Sequence, residues 1–236
     1  MKKTRLVLLP GLLCDADLWE PQVGDLGDIA EPFIADLTGA DSIAALAADV
    51  LRHAPVGRFA LAGLSMGGYV AFEIMRMAPE RVQALALLDT SARPDTPEST
   101  ANRRRLMGLA ESGFAAVIEE LLPKLVTPEE LADPDVADVV RNMAAGLGPE
   151  VFKRQQTAII GRIDSRPHLA AIRCPALVLC GREDQLTPVA LHEEIATGIG
   201  GARLVVVPGA AHISTLGQPQ AVNAALRAWL AAAAHD

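Results

Sequence analysis

Aromatic residues are scarce in this chain: two Trp, one Tyr and five Phe make up 3% of its 236 positions. Proteins that stack single-stranded nucleic acid on aromatic platforms, or anchor in a bilayer through aromatic belts, need many more, so both classes are disfavoured. Cysteine is scarce too. Cys14, Cys174 and Cys180 are odd in number and lack C-x-x-C spacing, which suits neither a disulfide framework nor a structural zinc site. Reduced thiols in the cytoplasm are the expectation. Basic residues are in deficit, 21 Lys and Arg against 29 Asp and Glu, and the net charge of -8 repels phosphate backbones and anionic lipid surfaces. No nucleic-acid partner and no membrane association are expected. The apolar run at 6–13, between Met1-Lys2-Lys3 and Cys14, imitates a short lipoprotein signal. It is too short to span a bilayer, Pro10-Gly11 interrupts it, and bulky Leu13 precedes the cysteine where a small residue is needed. It reads instead as a first strand and the loop that follows.

Half of the residues are hydrophobic, enough for one sizeable core in one domain or in one domain with an insertion. Short runs rich in Val, Leu and Ala recur at 5–9, 32–37, 59–64, 84–89, 176–180 and 203–207. They are nearly continuous in apolar residues, as strands covered on both faces are. Helical patterns at 42–53, 66–77, 188–197 and 218–233 alternate with them, which predicts an α/β fold with a mostly parallel, doubly wound sheet of about six strands and helices on both faces. From about 93 to 173 the alternation stops. That stretch is helical, polar and charged, with breaks at Pro123, Thr127-Pro128, Asp133-Pro134 and Gly148-Pro149, where Pro marks helix starts. The expected organisation is a core of 1–92 and 174–236 with a helical cap insertion, 93–173, over a ligand crevice at the C-terminal edge of the sheet. Eleven of the 21 basic residues fall in this stretch, including Arg103, Arg104 and Arg105. Consecutive helical residues point about 100° apart, so at most one or two of the three can face a pocket.

The strand at 59–64 runs directly into Gly63-Leu64-Ser65-Met66-Gly67, after which a helical pattern begins. A serine on so sharp a strand-to-helix turn needs strained backbone angles, and side chains two residues away on either side would collide, hence glycine at 63 and 67. The turn exposes the hydroxyl and sets the Met66 N–H at a helix N-terminus, where it can hold a developing oxyanion. A serine hydroxyl needs a base. Of five histidines, His53, His168, His192 and His235 lie on helical or terminal segments and read as surface residues, whereas His212 sits in the loop after the strand at 203–207 and can reach over Ser65. The carboxylate that orients the imidazole is then sought at another strand end. Asp184, in Gly181-Arg182-Glu183-Asp184, is the first candidate, and the order Ser, Asp, His agrees with the nucleophile-elbow arrangement; Asp89, at the end of the strand at 84–89, is the rival. A second oxyanion donor is expected from the loop Leu9-Pro10-Gly11-Leu12-Leu13, with Gly11 allowing close approach and the Leu12 N–H donating.

With these motifs in place, the chain resembles the α/β-hydrolase superfamily from the loop at 9–13 through the serine elbow to His212. The resemblance implies an eight-stranded family sheet of which six strands remain here, and a Ser65, Asp184, His212 triad with Leu12 and Met66 as oxyanion donors. It departs from the family in having Pro10-Gly11 where His-Gly is usual, and Ala211 where glycine often precedes the histidine. Within the superfamily it is similar to small capped esterases, enol-lactonases and acyl-carrier methyl-ester esterases. A serine at the elbow argues against dehalogenases and epoxide hydrolases, whose nucleophile is Asp. The implied protein is a cytoplasmic monomer or homodimer that cleaves a small ester, lactone or thioester through an acyl-enzyme, with no metal and no organic cofactor. A ligand sensor or a lyase using the same three residues is the alternative.

Overall fold

The computed structural model describes residues 3–233. Six strands, β1 (Thr4–Leu9), β2 (Ala30–Ile34), β3 (Phe59–Leu64), β4 (Val82–Leu88), β5 (Ala176–Gly181) and β6 (Arg203–Val207), form one sheet in the order β2-β1-β3-β4-β5-β6, every adjacent pair parallel. The helices are α1 (Glu20–Leu26), α2 (Ile43–His53), α3 (Met66–Met77), α4 (Pro97–Ser112), α5 (Phe114–Leu125), α6 (Pro128–Leu131), α7 (Pro134–Ile160), α8 (Val189–Gly198), α9 (Ser214–Gly217) and α10 (Pro219–Ala233).

Side chains alternate across a strand, so each inner strand feeds two cores at once. Val7, Leu9, Leu61, Leu85 and Val178 pack with α2, α3 and α8 residues such as Leu46, Val70 and Ile195 on one face. Leu6, Leu8, Ala60, Ala62, Ala86 and Leu179 pack with Trp19, Leu26, Leu226 and Trp229, from the α1 and α10 side, on the other. The expectation of apolar cover on both faces holds for the inner strands and fails at the edges. β2 and β6 are half-buried along most of their length. β2 also begins two residues earlier than its apolar run suggests and carries Pro32, whose missing N–H is tolerated because the strand lies at the sheet edge.

Among the described residues no helix is long and apolar enough to cross a membrane. Ser42 caps α2 by accepting the Ala45 N–H at 3.2 Å. Thr127 and Asp133 cap α6 and α7, with proline at the first helical position of each. Gly148, at φ 77°, kinks α7 just before Pro149. Pro123 is a correction: it does not break the helix but lies in the last turn of α5, which runs on to Leu125. A short 3-10 turn (Ala16–Trp19) leading into α1 went unforeseen, although Asp15 caps it and Leu18, Trp19, Gln22 and Leu26 bury one stripe at helical spacing.

Candidate active site

The strand order places a topological switch point between β1 and β3: the chain leaves β1 for β2 on one side and returns for β3 on the other. The loops after β1 and β3 therefore part, and a crevice opens between them at the C-terminal edge. Ser65 stands there, at φ 54° and ψ -113°, a conformation that costs an ordinary residue on the order of 1–3 kcal/mol. Its neighbours hold it. The Ser65 N–H donates to Leu88 O at 3.0 Å, and the Thr90 hydroxyl donates to Ser65 O at 2.8 Å. A Cβ at Gly63 would lie 2.4 Å from Gly67 O, and one at Gly67 would lie 2.2 Å from Leu9 O, so only glycine fits at either position.

Two neighbouring strand ends supply the partners. The loop after β6 is tied to the loop after β5 by the Glu183 N–H donating to Ala210 O at 3.0 Å, and to the end of α5 by the Ile213 N–H donating to Leu125 O at 3.1 Å. These bonds bring buried His212 between two groups: Nε2 lies 2.8 Å from Ser65 Oγ, and Nδ1 lies 2.8 Å from Asp184 Oδ2. Asp184 accepts further bonds from the Leu186 N–H (2.8 Å), the Thr187 N–H (3.0 Å) and the Thr187 hydroxyl (2.7 Å). An ionised carboxylate accepts from Nδ1–H, which leaves Nε2 free to accept the serine proton. Burial disfavours charge on both groups. Their mutual attraction and hydrogen bonds outweigh it, holding Asp184 below the usual carboxylate range and His212 above the usual imidazole value. Glu183, beside Asp184, is exposed.

Asp89 is fully buried but does not reach His212. Its Oδ1 accepts the Gly181 N–H at 2.9 Å and its Oδ2 accepts the Ser214 N–H and hydroxyl, pinning the end of β5 to the start of α9. Burial, then the charge of Asp184, pushes its pKa up to about 7. His53 and His168 are exposed as expected, and His235 lies outside the described residues. His192 is a correction. It is fully buried, its Nε2 accepts the Thr90 N–H at 2.8 Å, and burial lowers its pKa to about 4, so it braces the residue that braces Ser65. Thr90, Thr187, His192 and Ser214 were all missed as site residues. Only Thr187 left a signal in the sequence, as the Asp-x-x-Thr spacing that lets an aspartate bond its own turn.

The loop after β1 packs over the serine: a Cβ on Gly11 would lie 3.5 Å from Ser65 Cβ. Leu13, at φ 57°, donates its N–H to Gln155 Oε1 at 2.9 Å, which ties this loop to α7. The Leu12 and Met66 N–H groups have no acceptor among the described residues. Above them lies a cavity of about 220 Å³, with Ser65, His212, Gly11 and Leu12 in its wall together with Leu106 of α4, Ile118 and Leu121 of α5, and Val140 and Ile159 of α7. Cys14 also lines it. Burial, then the neighbouring Asp15 charge, pushes that thiol up to about 12, so it stays protonated and unreactive.

Comparison with known proteins identifies the fold and the family. A family model described as the alpha/beta hydrolase family matches residues 6–225. A thermophilic esterase from Thermogutta terrifontis, solved with malate bound, is similar at 31% identity and a TM-score of 0.90, the match covering 98% of this chain and 91% of that one. The enol-lactonase from Burkholderia xenovorans LB400 is 27% identical with a TM-score of 0.88, covering 98% and 92%. Among curated sequences, 3-oxoadipate enol-lactonase 2 of Acinetobacter baylyi is 29% identical over 84% of this chain and 71% of its own length. With the family match spanning nearly the whole chain, this protein belongs to the alpha/beta hydrolase family.

Proposed function

We propose that the protein is a serine hydrolase that cleaves a small carboxylic ester, lactone or thioester through an acyl-enzyme. The observation that carries this reading is the chain of 2.8 Å contacts from Ser65 Oγ to His212 to Asp184, opening into a cavity of about 220 Å³. His212 takes the proton as Ser65 Oγ attacks the substrate carbonyl, and Asp184 stabilises the imidazolium. The Leu12 and Met66 N–H groups hold the tetrahedral oxyanion, a role supported by their lack of any other acceptor among the described residues and by the position of Met66 at the N-terminus of α3. His212 returns the proton to the leaving group, then activates the water that releases the acid. Residues 93–173 act as the cap over a core of 1–92 and 174–236, since α4, α5 and α7 supply the apolar wall that excludes water from the acyl group. Three free cysteines fit a reducing, cytoplasmic setting. The relatives named as an esterase and as enol-lactonases support esters and lactones as substrates.

A panel of chromogenic short-chain esters, lactones and thioesters tests the reading. Multiple turnover with an initial burst is expected from the wild type, and no turnover from Ser65→Ala. Binding that raises Tm without turnover of any compound would overturn it in favour of a sensor.

A further inference from the structure

Ester hydrolysis asks for no fixed cation, yet the cavity holds one. Its wall includes Arg103 and Lys124 and, among the described residues, no Asp or Glu, in a chain whose net charge is -8. Arg103 is oriented by buried partners: Nε donates to Asp95 Oδ1 at 3.2 Å, and Nη1 donates to Gln156 Oε1 at 2.8 Å. The Asp95 side chain is 2% exposed and also accepts Arg162 Nη1 at 2.8 Å, so one carboxylate faces two guanidiniums and the group keeps a net positive charge. The Arg103 Nη2 has no acceptor among the described residues, and the side chain remains 22% exposed. Its two neighbours on α4 do not share the role. Arg105 pairs with Glu120 and Asn102, and Arg104 is exposed. Lys124 is more open and sits 3.6 Å from Glu120, which makes it the weaker of the two cavity cations. Arg103 also stands near enough to His212 for its charge to oppose protonation of the imidazole, as two groups facing one small cavity would.

A guanidinium held in place beside apolar walls formed by Leu106, Ile118, Val140 and Ile159 has one good partner, a carboxylate or similar anion with parallel acceptor oxygens. We propose that Arg103 anchors a free carboxylate on the substrate, so that the site takes half-esters or lactones of small dicarboxylic acids. The proposal rests on the hydrolase reading above and names its substrate class. The alternative is that Arg103 only ties α4 to α7.

The test compares the 4-nitrophenyl monoester of glutaric acid with 4-nitrophenyl valerate, which differ by a terminal carboxylate in place of a methyl group. Losing a charge-assisted bond corresponds to about a 10–100-fold loss of binding, so Arg103→Gln should raise KM for the glutarate ester by that factor, with a much smaller change in kcat. The KM for valerate should change by at least about tenfold less, and Arg103→Lys should recover part of the loss. Equal effects on both esters would overturn the proposal. Should Arg103→Gln fold poorly, the wild type still decides: monomethyl glutarate should inhibit valerate hydrolysis at least about tenfold better than dimethyl glutarate, and equal inhibition contradicts the proposal. If neither ester is turned over, the anchor is still judged apart from the hydrolase reading. Calorimetry then judges the anchor alone: monomethyl glutarate binding to Ser65→Ala but not to the Ser65→Ala, Arg103→Gln double variant upholds it, and binding to both or neither overturns it.

Discussion

At the scale of single residues, two buried carboxylates compete for one role, and their hydrogen-bond partners separate them. Asp184 accepts from the imidazole, whereas Asp89 accepts, among the described residues, only from Gly181 and Ser214. Asp184→Asn keeps the shape but presents an N–H where an acceptor is needed, so His212 is held in the tautomer that cannot take the serine proton. A fall in kcat on the order of 10³–10⁴ is expected, and less than about tenfold for Asp89→Asn, both measured on one ester at matched folded fraction. The reverse pattern would exchange the two assignments. The pH profile tests the same pair differently. His212 works as a base only when neutral, and Asp184 outweighs burial to hold its pKa above the ordinary 6.5. Activity should therefore rise with pH through a midpoint above 6.5 in the wild type. In Asp184→Asn burial acts without that opposing charge, so the midpoint of the residual kcat/KM should move down. An unmoved midpoint would mean that another group controls the limb.

At the scale of elements, the site depends on how closely α3 approaches the end of β1. Gly67 is the contact point, because a Cβ there would sit 2.2 Å from Leu9 O, and neither backbone can yield without moving its element. Gly67→Ala should cost about 1–3 kcal/mol in urea unfolding. It should also lower kcat, since the same shift parts Met66 from the loop that carries Leu12. Gly108 offers a control of opposite sign. It lies exposed in the middle of α4 with nothing within 4 Å of a built Cβ, so Gly108→Ala should stabilise by about 0.5–1 kcal/mol through helix propensity. Equal and small effects at both positions would show that the approach of α3 to β1 is not tight.

At the scale of the whole molecule, what could be read from the chain depended on how local the signal was. Strands β3 and β5 stand out as apolar runs because neighbouring strands and helices on both faces cover them completely. The edge strands blur, since an exposed position tolerates Glu31 and a half-buried one Pro32. That Ser65, Asp184 and His212 meet was legible because each follows a strand in a loop of distinctive composition, and a parallel sheet brings the C-terminal ends of its strands to one edge. His192 was not legible: its helix looks half polar, and its burial follows from how α8 packs on the rest of the fold, β5 and β6 included. Nor could the chain alone say which of Arg103, Arg104 and Arg105 faces the cavity, because that depends on how α4 is rotated against α5 and α7. The central claim, that Ser65 is the nucleophile, is tested most directly by fluorophosphonate labelling followed by peptide mass mapping. The account predicts one adduct, on the hydroxyl of Ser65, absent from Ser65→Ala and formed far more slowly in His212→Gln. An adduct on any other residue, or undiminished labelling of Ser65→Ala, would contradict it.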